Sequence, residues 1–381
     1  MKTILSLAAV LGIACSATAD TLWRQYGFDP AHTSYNKSET ILNPSNIGRL
    51  TLFWTSPSFE VSGFVPSVPT LGFQAIFFNT DGRIHALEKQ TGRRRWGRLS
   101  CSGVGTVQAA FGHEIVLVGD AGGDLAGYEP ATGNQVWCDD QAGSIVSAPA
   151  VADDTVFITN TQDAVALDQF TGREHWRFTA LDTFGIHLTS SPAIANGVVF
   201  VTGDGWVFAL DGITGRKIWR RQLQAAEFRI SSAAVANGVV YVGGQEALYA
   251  LSAFDGHLVW QNTSLSVVPT PAIAEGRVFV NSEDPNFGLW AFDAATGAFL
   301  WTRQRPGEPA TTVTVANGIV YDIVDSGSLQ MFDAARGTFL GSIRDPDGKP
   351  FVDAFGSQPI VANGTIYVST GDRVDAFHLS P

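Results

Sequence analysis

The stretch Ala166-Leu167-Asp168-Gln169-Phe170-Thr171-Gly172, with Trp176 four residues after its glycine, decides the fold because it recurs along the chain. It stands earlier as Ala86-Leu87-Glu88-Lys89-Gln90-Thr91-Gly92 with Trp96, and as Glu129-Pro130-Ala131-Thr132-Gly133 with Trp137. Later copies are Leu210-Asp211-Gly212-Ile213-Thr214-Gly215 with Trp219, Asp255-Gly256 with Trp260, and Thr296-Gly297 with Trp301. A degenerate copy has Gly337, with Gly341 in the tryptophan place. The intervals between tryptophan positions are 41, 39, 43, 41, 41 and 40 residues. A period near forty residues marks an array of supersecondary units that bury their faces against one another.

Trp54 lies 42 residues before Trp96 and follows the apolar run Leu50-Thr51-Leu52-Phe53, but no Thr-Gly turn precedes it. The missing half stands at the other end of the chain, where Val374-Asp375-Ala376-Phe377-His378 matches the strand before the turn. Eight units follow, the last assembled from both termini. The fold class is therefore all-β: an eight-bladed β-propeller of four-stranded blades, closed by pairing of the N- and C-terminal strands. Runs such as Val198-Val199-Phe200-Val201 supply strands. Asn-Gly pairs at 196–197, 237–238, 317–318 and 363–364 supply hairpins that need positive φ at both positions.

With strands lettered A to D from the axis outward, Asn-Gly turns join A to B and Thr-Gly turns join C to D. Successive turns alternate faces, so both regular turn types share one face and the irregular B–C and D–A loops share the other. Function is expected on that irregular face, for a protein partner or a small ligand. Its candidate residues are Glu60, Asp182, His187, Arg229, Glu308 and Asp353, with Arg229 and His187 placed just before inner strands. The blade-motif residues Trp54, Trp96, Trp137, Trp176, Trp219, Trp260, Trp301, Asp168 and Asp211 are read as structural. Arg93, Arg94, Arg95 and Arg98 form a basic run on one turn and outer strand, read as a solvated face.

Composition narrows the classes. The 381 residues are 45% apolar and carry a net charge of −12, which disfavours nucleic acid as a partner. Residues 1–19 read as a cleaved signal peptide: Lys2, an apolar run from Ile4 to Cys15, and Ala17-Thr18-Ala19 before Asp20. That run is too short to span a bilayer, so the chain is read as not membrane-spanning and as secreted or periplasmic. Lipid anchoring through Cys15 is the alternative. Residues 20–49 are taken as an N-terminal segment and 50–381 as the propeller. In an exported chain Cys101 and Cys138 form one disulfide or stay as two thiols. The sequence has no H-E-x-x-H, so it offers no zinc-hydrolase pattern, and no metal site is assigned.

The repeat resembles that of the pyrroloquinoline-quinone (PQQ) propeller family over essentially the whole chain after residue 19. Trp23, Tyr26-Gly27, Asp29-Pro30, Thr33, Tyr35-Asn36, Asn46, Leu50 and Trp54 resemble the N-terminal segment of quinoprotein alcohol dehydrogenases. The family has an enzymatic branch, which binds PQQ with Ca²⁺, and non-enzymatic propellers. Among the latter is the lipoprotein of the outer-membrane β-barrel assembly machine. The dehydrogenases bring an adjacent Cys-Cys pair and long insertions, and this chain has neither; their catalytic residues match no position here. The resemblance implies a binding or scaffolding protein with no cofactor. The alternative is a quinoprotein oxidoreductase with PQQ and Ca²⁺ at an atypical funnel site.

Overall fold

At Asn196 and Gly197 the backbone takes φ of 51° and 75°, the two left-handed residues of a tight hairpin turn. This turn joins Ala193–Ala195 to Val198–Gly203, and the chain continues through Trp206–Asp211 to Lys217–Gln222. The four strands make one antiparallel sheet in that order. The same meander repeats around the ring. Counted from the first complete copy, the blades start at inner strands Thr70–Leu71, Ala110–Phe111, Ala150–Ala152, Ala193–Ala195, Ala234–Ala236, Ala272–Ala274, Thr314–Ala316 and Ile360–Ala362. The computed structural model describes residues 22–59, 68–80, 82–103, 107–120, 122–139, 147–223, 230–245, 247–265, 269–282, 287–304, 311–324, 327–351, 358–370 and 372–380.

Blade 8 takes its outer strand from the start of the chain. Leu50–Thr55 pairs antiparallel with Arg373–Leu379, and Trp54 lies opposite Ala376. The two ends thus close the ring, as the split repeat requires.

Burial follows position in the blade. The second strand of blade 7, Ile319–Val324, is buried at all six positions. The polar alternation expected of a strand disappears there because each blade is covered on both faces by its neighbours. The core is accordingly a series of interblade layers. Phe200 and Trp219 of blade 4, for example, pack with Val235, Val240 and Tyr249 of blade 5. Six of the eight outer strands keep one buried residue, the tryptophan: in Lys217–Gln222 only Trp219 is buried.

The inner edges of the blades would leave a ring of unpaired backbone groups. Residues 23–36 cover it. They run around the axis as a belt that meets all eight inner strands in turn, each at the equivalent position. Leu71 N donates to Trp23 O at 2.7 Å, Phe111 N to Arg24 O at 2.6 Å, and Val151 N to Gln25 Oε1 at 2.7 Å. Ile194 N donates to Pro30 O, Val235 N to Ala31 O, Ile273 N to Thr33 O and Val315 N to Ser34 O, all at 2.6–2.9 Å. Asn36 Nδ2 reaches Val361 O at 2.7 Å in blade 8. So tight a curl needs left-handed residues, and Gly27, Phe28, His32 and Ser34 have φ between 53° and 75°. Past Asn36 the chain crosses the regular-turn face. Asn317 Nδ2 of the blade 7 turn donates to Leu42 O, and Gly364 N of the blade 8 turn donates to Glu39 Oε2.

Candidate functional site: the channel floor and the irregular-loop face

Three residues before each belt-bound position stands a second ring: Val68, Gln108, Ala148, Ser191, Ser232, Thr270, Thr312 and Gln358. Six of the eight are polar. Ala148 N donates to Ser191 Oγ at 3.1 Å, and Ser191 N to Ser232 Oγ at 2.9 Å, so the ring members bond from blade to blade. Others meet the belt. Tyr26 Oη lies 2.8 Å from Thr270 Oγ1 and 3.2 Å from Thr312 Oγ1, and Gln358 Nε2 donates to Ser34 Oγ at 2.8 Å. Belt and ring together form the floor of the channel.

The ring is polar, uncharged and mostly buried, and the belt adds two half-buried charged residues, Arg24 and Asp29. His32 is fully buried, its Nδ1 is 3.3 Å from Ala233 O, and burial pushes its pKa down to about 4. Burial raises the Tyr26 phenol, which stays neutral. Five buried polar atoms here have no hydrogen-bond partner among the described residues: Trp23 Nε1, Gln25 Nε2, His32 Nε2, Gln108 Nε2 and Gln358 Oε1. An unmet buried polar atom costs about 1–3 kcal/mol, so the floor favours water or a neutral polar group that supplies those bonds.

The donor set tests the cofactor of the enzymatic branch. A quinone with three carboxylates needs cations around it, and its Ca²⁺ needs six to eight oxygens, carboxylates among them. The ring residues are amides and hydroxyls and His32 is a neutral imidazole; the belt's one carboxylate, Asp29, is bonded by Thr33 N and Oγ1, and its one cation, Arg24, lies over the Phe73 ring, so the described residues do not fit that pair. No step is derived through it.

On the irregular face, two candidates fall among the described residues. His187 Nδ1 lies 2.9 Å from Asp204 Oδ2, and the same oxygen accepts the His187 amide at 2.7 Å. Asp204 sits on the B–C turn of the same blade, so this pair ties a D–A loop to its neighbouring turn. Asp182 lies in the short helix Ala180–Phe184 of that loop. Glu60, Arg229, Glu308 and Asp353 lie outside the described residues. Asp168 and Asp211 serve their own turns: Asp211 Oδ1 accepts from Thr214 N at 2.8 Å and Thr214 Oγ1 at 2.7 Å, and these bonds hold its pKa below the usual carboxylate range.

Sequence reasoning missed a buried charge cluster on this face. Arg373, just past the B–C turn of blade 8, bonds Asp345 Oδ2 and lies 2.8 Å from Asp347 Oδ2. Its Nε is 3.5 Å from Asp375 Oδ1. Asp345 and Asp375 are both almost fully buried, and burial with the adjacent Asp345 pushes Asp375 up to about 7. The alternation Asp345-Pro346-Asp347 and Arg373-Val374-Asp375 was the available signal. Near the rim, Cys101 Sγ and Cys138 Sγ are 2.08 Å apart, a disulfide joining blade 1 to blade 2. The described residues contain no helix long and apolar enough to cross a membrane.

The family model described as outer membrane protein assembly factor BamB matches residues 80–233 and 204–378. Among curated proteins, the 1-butanol dehydrogenase (cytochrome c) of Thauera butanivorans is 29% identical over 175 residues, which is 40% of this chain and 25% of that protein. The quinohemoprotein alcohol dehydrogenase of Comamonas testosteroni is 31% identical over 190 residues, 44% of this chain and 27% of that one. The chain thus spans about a quarter of the length of the curated relatives it matches. The solved structure of the Comamonas enzyme superposes with a TM-score of 0.76 at 16% identity, over 96% of this chain and 81% of that one. The BamB of Moraxella catarrhalis superposes at 0.68 with 17% identity, over 86% and 97%. At these identities the likeness is one of fold.

Proposed function

The chain belongs to the PQQ-like propeller family whose model is described as outer membrane protein assembly factor BamB, and from that premise we propose that it is an exported binding or scaffolding protein. It holds its partner, a protein or a small ligand, on the irregular-loop face. The observation that carries this reading is the uncharged ring on the channel floor. The belt of residues 23–36 covers the inner edges, and the ring above it offers hydroxyls and amides where a quinone enzyme needs cations and metal-binding carboxylates. Export rests on the signal-like residues 1–19, and the partner-facing residues are Glu60, Asp182, His187, Arg229, Glu308 and Asp353.

The likeness to two alcohol dehydrogenases favours a second reading, a PQQ-dependent oxidoreductase. One titration separates the two. The purified chain is titrated with PQQ and Ca²⁺ while Trp fluorescence and cofactor absorbance are followed. The binding-protein reading expects no saturable change up to high micromolar PQQ. Saturable, calcium-dependent binding at micromolar affinity would replace it with the oxidoreductase. The positive arm is capture of a partner that the unaltered chain retains and a His187→Ala, Arg229→Glu, Glu308→Lys variant loses.

A further inference from the structure

The third position of the C–D turn holds Gln90, Ala131, Phe170, Ile213, Phe254, Ala295 and Ala335 in blades 1 to 7. Nothing in the turn asks for a large apolar side chain there. Yet Ile213 and Phe254, in consecutive blades 4 and 5, are 86% and 88% exposed. They stand as two knobs one blade apart on the regular-turn face. One exposed apolar side chain is ordinary on a protein surface, but here the same turn position is filled this way in two consecutive blades.

The same face carries two matching cavities, also one blade apart. The first, about 280 Å³, lies between blades 1 and 2 and is walled by Phe73, Phe77, Phe111 and Ala131, with Glu114 and Glu129 at its edge. The second, about 360 Å³, lies between blades 8 and 1; Phe53, Phe73 and Tyr367 supply its apolar wall, and Glu88, Lys89 and Arg95 stand on its polar side. Each is bounded by the A–B turn of one blade and the C–D turn of the next. The cavities therefore sit at the radius of the turns that carry the knobs.

We propose that this face binds a second copy of the chain, with Ile213 seated in the blade 1–2 cavity and Phe254 in the blade 8–1 cavity of its partner. A two-fold axis lying in the interface reverses the order of blades. If blade 5 faces the gap between blades 8 and 1, blade 4 must face the gap between blades 1 and 2. Both knobs of each copy then meet both cavities of the other, the closed self-complementary arrangement of a two-fold dimer. Charge agrees with this pairing. Arg216 follows Ile213 and comes opposite Glu114, an exposed carboxylate at the edge of the first cavity. Among the neighbouring charges, Asp211, Glu88 and Glu129 are bound within their own turns, Lys217 Nζ lies over the Phe184 ring, Asp255 is bound to His257, and Arg95 Nη1 donates to Gln74 O.

Light scattering and sedimentation over a concentration series test this on the purified chain. A dimer is expected, together with an Ile213→Asp, Phe254→Asp variant that is monomeric at the same concentrations. Each single change should weaken association about a hundredfold or more, because a two-fold dimer loses that buried apolar side chain twice. Because both side chains are exposed in the single chain, the variants should keep its melting temperature. Arg216→Glu should weaken the dimer, and adding Glu114→Arg should restore it. A chain that stays monomeric at its highest soluble concentration overturns the proposal, as does a dimer that the knob variants leave unchanged.

Discussion

Trp176 of blade 3 donates its indole N–H to Gly212 O of blade 4 at 2.9 Å, and its ring lies over Gly215, the glycine of that blade's Thr-Gly turn. A Cβ built on Gly215 would come within 2.6 Å of the ring. The same contact recurs around the molecule: Trp54 on Gly92, Trp96 on Gly133, Trp137 on Gly172, Trp219 on Gly256, Trp260 on Gly297 and Trp301 on Gly337. Each tryptophan thus caps the turn of the next blade. The glycine is needed twice, for its φ of 66–73° and for the close approach of the ring. Gly215→Ala is expected to destabilise the chain by about 2–4 kcal/mol, through left-handed strain and a displaced Trp176. Trp176→Phe should cost less, about 1–2 kcal/mol, since most of the packing survives the loss of one hydrogen bond. Equilibrium denaturation of both variants checks the order, and a Gly215→Ala chain as stable as the unaltered one would remove the capping account.

This contact explains why the repeat was legible. Two distant features, a turn glycine and a tryptophan, recur together because each is the other's binding site in the neighbouring blade. It also explains the irregular copy. A tryptophan at position 341 would cap a C–D turn in blade 8, but that blade takes its C strand from Arg373–Leu379 and its D strand from Leu50–Thr55. No turn joins them, and Gly341 has nothing to cap. The belt was not legible, for the opposite reason. Its bonds are mostly backbone carbonyl to backbone amide, which any sequence can make, and three of its four left-handed positions are Phe28, His32 and Ser34, residues without a turn signature. The site was legible only in part. His187 was visible as a loop residue before an inner strand, but its bond to Asp204 depends on which turns share a face. The polar floor depends on how eight separate strands align around one axis.

The belt makes a prediction in hydrogen exchange. The amides of Phe111, Ile194, Val235, Ile273 and Val315 point from inner edges to belt carbonyls and are expected to exchange only on global unfolding. Gly27→Ala should remove that protection selectively. At φ 66° a Cβ there would lie 2.6 Å from His32 Cα, so the curl cannot close. Fast exchange of these amides in the unaltered chain would mean the belt is not formed in solution.

The Cys101–Cys138 bond spans 37 residues of sequence and crosses from blade 1 to blade 2. Closing a loop of that length in the unfolded chain stabilises the fold by about 2–4 kcal/mol. Cys101→Ser with Cys138→Ser should lower the melting temperature, and a reductant should lower that of the unaltered chain equally. Labelling that finds two reactive thiols in the untreated protein would contradict the bond.

Asp375 sets a pH dependence that can be isolated. Its pKa is pushed up to about 7 by burial and by Asp345, against about 4 in the unfolded chain. Below about pH 4 both states hold the proton and its contribution is fully present. As pH rises toward 7 the unfolded chain ionises first, so the folded state loses stability across that interval. His32 and His85 work in the other direction. Burial lowers both to about 4, below the ordinary histidine value, so their contribution is present above about pH 6.5 and is lost as pH falls toward 4. The unaltered chain therefore shows the sum of opposed slopes, and the informative quantity is a difference. Asp375→Asn cannot ionise. Relative to the unaltered chain it should gain stability steadily between about pH 4 and pH 7, by on the order of 2 kcal/mol, and show no further gain above that. Paired denaturation curves across the interval measure it. A difference that stays constant with pH would mean Asp375 is ionised throughout, and that Arg373 outweighs both burial and Asp345.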